Sequence, residues 1–234
     1  MFLFFKNAVN NVLNFCFPSL CSGCSTILFN QELHICLKCQ LNLPKTNFKN
    51  QDNNYTANIF KGRIPIVYAN SYLYFRKKGI AQNLVHQIKY KKNLELGKYL
   101  GQQFGMDILE QIKNNPPDII TCVPLHKKKL KLRGYNQSES IATGISESLN
   151  IPFNPNIFLK LTHSDSQTKK SRFNRWLNVD TKFILNPAFD IKNKHVLIVD
   201  DVITTGATIE TCGQLVLSQE NTKTSFLSLC LSTN

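Results

Sequence analysis

No apolar run in this chain of 234 residues approaches the roughly 18 consecutive residues that a membrane-spanning helix needs, so no transmembrane segment is predicted. The opening stretch MFLFFKNAVNNVLNFCF is interrupted by Lys6, Asn7, Asn10 and Asn11, which removes the continuous apolar centre of a signal peptide. Acid is scarce: 15 Asp and Glu stand against 28 Lys and Arg, a formal net charge of +13. That imbalance favours an anionic partner, whether nucleic acid, nucleotide, polyphosphate or acidic lipid, without choosing among them. No helix-turn-helix or base-reading motif is visible, so any nucleic-acid binding is expected to ignore sequence and to suit single strands. With 42% hydrophobic and 18% charged residues, the composition is that of a soluble globular protein, long enough for one ample core and a small appendage.

What is present begins with an amphipathic pattern. Phe2, Phe5, Val9, Val12, Leu13 and Cys16 share one helical face, predicting a helix that packs on the protein, with attachment to a membrane surface as the second reading. Cys21 and Cys24 form one CxxC and Cys36 and Cys39 another, with eleven residues between the pairs. Two such knuckles suit a tetrahedral structural Zn²⁺, with His34 as an alternative ligand and disulfides as the competing account; reduced cytosolic thiols favour the metal. Residues 1–44 are therefore read as an amphipathic helix plus zinc module. The Asn-rich 45–63 stretch is read as a linker in which Tyr55 and Phe60 are candidates to pack, and 64–234 as the main domain.

Within the main domain Ile66 to Phe75 predicts a strand, and Ile80, Leu84, Val85 and Ile88 a helix running into Lys89, Tyr90, Lys91 and Lys92. Leu94 to Ile112 is a second helix, along which Gly97, Gly101 and Gly105 recur every four positions and favour close packing. Pro116 and Pro117 end it, and Ile119 to Val123 opens a βαβ unit. Pro124 to Gln137 reads as a loop with four Lys and one Arg and no acid, a solvated basic surface by default. Asn136 caps a helix through Leu149, and Ile157 to Leu161 is a further core strand. Between Thr162 and Leu177, Lys169, Lys170, Arg172 and Arg175 interleave with Phe173 and the single tryptophan, Trp176, either to stack on bases and hold phosphates or to pack on the body.

The organising stretch is His195 to Thr208, HVLIVDDVITTGAT. Val196 to Val199 reads as a buried parallel strand, followed by Asp200 and Asp201, a Thr- and Gly-rich turn, and a helix through Gln219; Thr224 to Leu231 is the last strand. Backbone amides of Thr204, Thr205, Gly206, Ala207 and Thr208 at a helix start favour a phosphate. The acid pair needs a different partner, sugar hydroxyls or a hydrated Mg²⁺, so the pocket suits a phosphorylated ribose. The plainer account is a strand followed by an Asp-capped helix.

This run resembles the phosphoribosyl pyrophosphate (PRPP) motif of type I phosphoribosyltransferases. The resemblance implies an α/β fold, a parallel sheet flanked by helices, with the zinc-ribbon-like module ahead of it. It implies that Asp200 and Asp201 hold ribose hydroxyls, that Thr204 to Thr208 wrap the 5′-phosphate, and that Mg²⁺ accompanies PRPP. It also implies that the loop at Leu125, His126, Lys127, Lys128 and Arg133 receives pyrophosphate. Val123-Pro-Leu-His126, Arg133-Gly-Tyr-Asn-Gln137, Ile88-Lys-Tyr90, the four cysteines and the series Gln167, Arg175, Asn178, Val179 further resemble the ComF family of competence-associated proteins, in order over nearly the whole chain.

By that resemblance the chain works on the cytoplasmic side of the inner membrane in uptake of single-stranded transforming DNA, with DNA-uptake proteins as partners. From Arg76 to Arg133 there are thirteen Lys and Arg against four Asp and Glu. Lys89, Lys91, Lys92, Lys129, Lys131, Lys169, Lys170, Arg172, Arg175 and Trp176 are the candidate nucleic-acid surface. Two alternatives stay open: an active Mg²⁺-dependent phosphoribosyltransferase of nucleoside metabolism, and a non-catalytic adaptor. Only 33 residues follow Asp201, so a base-selecting hood would have to come from Ile64 to Ile112, and no residue is identifiable as a general base.

Overall fold

The computed structural model describes residues 18–29, 31–47, 54–125, 127–160 and 183–232. The amphipathic stretch through Cys16, His126, and the series from Gln167 to Val179 with Lys169, Lys170, Arg172, Arg175 and Trp176 lie outside them, as does the side chain of Lys127. In chain order the elements are α1 (Leu37–Leu41), α2 (Tyr55–Phe60), β1 (Ala69–Phe75), α3 (Ile80–Tyr90), α4 (Leu94–Ile112), β2 (Ile119–Cys122), α5 (Lys127–Arg133), α6 (Gln137–Leu149), β3 (Phe158–Lys160), β4 (Phe183–Leu185), β5 (His195–Ile203), α7 (Ala207–Leu217) and β6 (Lys223–Ser232).

Four strands form a sheet in the order β1-β6-β5-β2, every pair parallel. A strand buried on both faces has to be apolar at successive positions, which is why Val196 to Val199 reads as a run rather than an alternation. Leu197 and Val199 enter the core on the side of α3, α4 and α6. Val196 and Ile198 enter the other, formed by α2, α7 and the β3–β4 pair.

Asparagine starts three of the helices. The side chains of Asn54, Asn93 and Asn136 each accept a backbone N–H from the first turn of α2, α4 and α6, satisfying donors that a helix start otherwise leaves open.

Four sequence expectations change. The basic 124–137 stretch contains the helix α5, whose Lys-Lys-Lys-Leu-Lys-Leu-Arg has good helix formers at every position. Phe158 to Lys160 pairs antiparallel with β4 in a separate two-stranded sheet and is no core strand. β5 continues to Ile203, so Asp200 and Asp201 lie in the strand; their backbones are carried there by pairing with β6. The 45–63 stretch holds α2, with Asn54, Thr56 and Phe60 all at 0% exposure, and Lys45 bridges the free edge of β1 at Leu73. Apolar burial outweighs the Asn-rich composition there: covering one Phe contributes about 1.5–3 kcal/mol.

The glycine spacing on α4 is explained by α6. A Cβ on Gly101 would strike the Ile141 carbonyl, and one on Gly144 would strike the Lys98 carbonyl, backbone atoms that cannot swing aside. Replacing Gly144 by Ala is expected to destabilise the protein by at least the roughly 1–3 kcal/mol of an overpacked core, read as a lower midpoint in urea unfolding. An unchanged midpoint would mean that the two helices are free to separate.

Candidate functional site

The carboxyl ends of β2 and β5 meet the start of α6 at Asp200 and Asp201. Asp201 is buried at 7% exposure. Its Oδ2 accepts from Gln137 Nε2, on the first residue of α6, and lies 3.1 Å from Lys89 Nζ of α3. Asp200 Oδ1 accepts the Asp201 backbone N–H at 2.8 Å and the Ser138 hydroxyl at 3.3 Å. Each carboxylate thus has one oxygen engaged by the fold, while Asp200 Oδ2 and Asp201 Oδ1 have no hydrogen-bond partner among the described residues. Burial, and then the neighbouring Asp201 carboxylate, push Asp200 up to about 7.

The hydroxyl-bearing turn follows directly. Thr204 and Thr205 are exposed, as are Ala207 and Thr208 at the start of α7, while Gly206 is buried between them. Gly206 is the N-cap in the left-handed region at φ +75°, and a Cβ there would lie 2.6 Å from the Phe60 ring. Both facts require glycine. The N-cap Gly206 offers α7 no side chain, in contrast to the asparagine caps on α2, α4 and α6. Ala207 N–H donates weakly to the Thr205 hydroxyl at 3.5 Å, and the next first-turn amides are available to an anion. The helix is not Asp-capped, which removes the plainer account of the acid pair.

The sequence did not disclose what braces this turn. Arg63 Nη1 donates to the Thr205 carbonyl at 2.8 Å, its Nη2 pairs with Glu210 in the first turn of α7, and its guanidinium lies 6.0 Å from the Phe60 ring centroid. Ser138 was likewise visible only as the start of a helix, and no site role was expected for Gln137 or, beyond a surface cation, for Lys89. The signal that would have found Gln137 and Lys89 is their place inside the two ComF-like phrases, both of which converge on Asp201.

The remaining candidates divide. Leu125 is half-buried directly after β2, and Lys128, Lys129 and Lys131 are exposed along α5. Arg133 turns away from them: its Nη1 donates to Gln137 Oε1 at 3.0 Å, and its guanidinium lies 5.0 Å from the Tyr90 ring centroid. Lys91 and Lys92 are exposed beyond Tyr90, continuous with α5 through that stacking contact, whereas Lys89 is mostly covered.

At the other end of α3, the sulfurs of Cys21, Cys24, Cys36 and Cys39 all lie within 4.8 Å of one another. Cys24 Sγ and Cys36 Sγ are 3.6 Å apart, far beyond a disulfide bond and close to the edge of a ZnS₄ tetrahedron built from Zn–S bonds of about 2.3 Å. Cys21 Sγ accepts N–H groups from Gly23 and Cys36, and Cys36 Sγ accepts one from Cys39, as thiolates do. The donor set fits a four-coordinate thiophilic metal. For Mg²⁺ the fit is partial. The chain's own oxygens at the acid pair amount to two carboxylates, one already facing an ammonium, so most of such an ion's shell would come from phosphate and water.

A parallel sheet ending in an acid pair and a threonine-rich helix start is the arrangement of a phosphoribosyltransferase-type fold. A family model for the phosphoribosyl transferase domain matches residues 109–230, just over half of the chain, and the chain belongs to that family. Its relatives bear out the ComF resemblance. It is 28% identical to DNA utilization protein YhgH of Escherichia coli (strain K12) over 137 residues, and 27% identical over the same length to Competence protein F of Haemophilus influenzae. Each match covers 57% of this chain and 60% of the relative, so the chain spans about 60% of the length of the curated relatives it matches. Among solved structures, a glutamine PRPP amidotransferase from B. subtilis is similar at 19% identity and a TM-score of 0.39, over 61% of this chain and 30% of that one. An adenine phosphoribosyltransferase from Saccharomyces cerevisiae is similar at 16% and 0.37, over 60% and 71%. These likenesses are loose, and the family assignment rests on the sequence match.

The raised Asp200 carboxyl has a consequence for stability. The folded protein binds this proton more tightly than the unfolded chain does, so the group favours the fold below its unfolded value near 4, and that contribution is lost as pH rises towards 7. Replacing Asp200 by Asn is therefore expected to raise the melting temperature relative to the natural chain more at pH 8 than at pH 5, by about 2–4 °C per kcal/mol at this size. A difference independent of pH would contradict the burial of the carboxyl.

Proposed function

We propose that this ComF-type chain binds PRPP or another phosphorylated ribose at Asp200 to Thr208, and single-stranded DNA on its basic surface, in uptake or processing of transforming DNA on the cytoplasmic side of the inner membrane. The ligand reading is carried by one observation: one unpartnered oxygen on each of two adjacent carboxylates, beside a helix start without a cap. A ribose diol offers two donors to the first feature, and its 5′-phosphate suits the second. Leu125 to Lys128, with His126, would receive the pyrophosphate of PRPP together with Mg²⁺. Arg133 is engaged with Gln137 and Tyr90, so it would act on pyrophosphate only by releasing them. Structural Zn²⁺ would occupy the four cysteines.

The transferase reading is weaker. Ile64 to Ile112, the one candidate source of a base-selecting hood, is spent on β1, α3 and α4 of the body. The adaptor reading is opposed by an intact motif with its glycine in the required conformation.

Calorimetry with PRPP and Mg²⁺ is expected to give saturable binding that the double substitution Asp200→Asn, Asp201→Asn abolishes; equal affinity in the variant would reject the site. A panel of nucleobases added to the same mixture separates binder from enzyme, because only a transferase releases pyrophosphate.

The DNA half is supported by the exposed cations at Lys91, Lys92, Lys128, Lys129 and Lys131 and by the relatives' names. If five phosphates are neutralised, the logarithm of the single-strand association constant should fall by about 3.5 per tenfold rise in salt. Changing Lys128, Lys129 and Lys131 to Glu should abolish binding. A flat salt response would count decisively against this surface.

A further inference from the structure

Residues outside the phosphoribosyl motif converge on its second carboxylate. Lys89 Nζ lies 3.1 Å from Asp201 Oδ2, and the two side chains are 20% and 10% exposed, so the pair is not a surface contact. The same oxygen accepts from Gln137 Nε2, and Gln137 is oriented by Arg133 Nη1 at its other end. Tyr135, in the turn between α5 and α6, donates its hydroxyl to the Ile88 carbonyl and so ties the end of α3 to this turn. Arg133 over the Tyr90 ring adds a second tie. The end of α3 that carries Lys89 is thereby tied to α5 and to the turn before α6.

The electrostatic consequence is direct. Two fully ionised carboxylates would carry two negative charges, and the ammonium of Lys89 leaves the cluster with a net charge of at most one. A diol needs only acceptors, and the two unpartnered oxygens supply them. A divalent cation needs the uncompensated charge, and near Asp201 it would meet an ammonium instead.

We propose that Lys89 is the resident cation of the acid pair, so that Asp200 and Asp201 recognise a ribose diol without a divalent metal. Magnesium dependence then belongs to the pyrophosphate half of PRPP alone. Lys89 acts as a positioning residue, through Asp201. The inference rests on the phosphoribosyl reading of the site and goes beyond it by assigning the metal requirement to one half of the ligand.

The test uses ribose 5-phosphate, which lacks the pyrophosphate, titrated into the full chain in magnesium-free buffer and again with Mg²⁺ added. No chelator is used, so the four-cysteine centre keeps its metal. The natural chain is expected to bind with less than about a twofold difference between the two conditions. Lys89→Met should lose at least about tenfold in affinity without Mg²⁺ and recover part of it when Mg²⁺ is added, a rescue that a merely structural defect would not show. Lys89→Arg should stay close to metal-independent, and Lys113→Met, an exposed lysine at the far end of α4, should match the natural chain.

Binding of ribose 5-phosphate by the natural chain only with Mg²⁺, or full metal-free affinity in Lys89→Met, would overturn the proposal and leave the phosphoribosyl reading standing. If the natural chain binds neither ribose 5-phosphate nor PRPP, that reading fails and takes the inference with it. Should Lys89→Met not fold, the magnesium series on the natural chain decides alone.

Discussion

The structure depends on keeping two neighbouring carboxylates at the end of a buried strand. A chain that closes a parallel sheet around β5 brings both acids to the edge of the core, and burial together with the Asp201 charge then acts against the ionised form of Asp200. The fold answers with partners drawn from separate elements: an ammonium from α3, an amide and a hydroxyl from the first two residues of α6, and a backbone N–H within β5. Each partner takes a single oxygen. A pair fully satisfied from inside would be a structural feature with nothing to offer a ligand; a pair with no internal partners would be protonated or would unfold the strand end. The observed division leaves one oxygen of each carboxylate held by the fold and one without a partner among the described residues.

The turn after β5 meets the same demand by the opposite means. The N-cap of α7 is Gly206 and offers no side chain, where α2, α4 and α6 begin with an asparagine bonded into the first turn. An uncapped turn is inherently loose, and the stiffness comes from elsewhere. The Phe60 ring closes on Gly206, and Arg63 holds the Thr205 carbonyl and Glu210 together. Glu210, an acid in the first turn of α7, is neutralised by that same arginine.

Much of this was legible in the residues. The apolar run, the acid pair and the glycine-bearing turn in one stretch define strand, site and helix, because a buried parallel strand can only be apolar on both faces and a turn with positive φ calls for glycine. The four-residue spacing of Gly97, Gly101 and Gly105 indicated close helix contact for the same steric reason. What could not be read were relations across the chain. The function of Arg63 depends on a carbonyl 142 positions away, and that of Lys89 on a carboxylate 112 positions away; neither distance leaves a periodic trace. Composition misled at 54–60, where asparagine suggested a linker although Asn54 is a buried cap, its amide donating to the Ala69 carbonyl of β1. It misled again at α5, where a charge run concealed a helix.

The four-cysteine module enters the site argument through α3. The module is fixed to the first turn of this helix by Asn83, which donates to the Gly23 carbonyl, and by Ile80, close to the Cα of Gly23; Asn93 beyond the helix reaches Ser22. The opposite end of α3 delivers Lys89 to Asp201. An 11-residue helix is a stiff rod of about 16 Å, so its two ends are mechanically linked even though no side chain spans them. A segment as short as residues 18–44 cannot form a sufficient core of its own, and a metal held by the four cysteines would supply the rigidity that packing does not. The module therefore holds one end of the helix whose other end brings the Lys89 ammonium to Asp201.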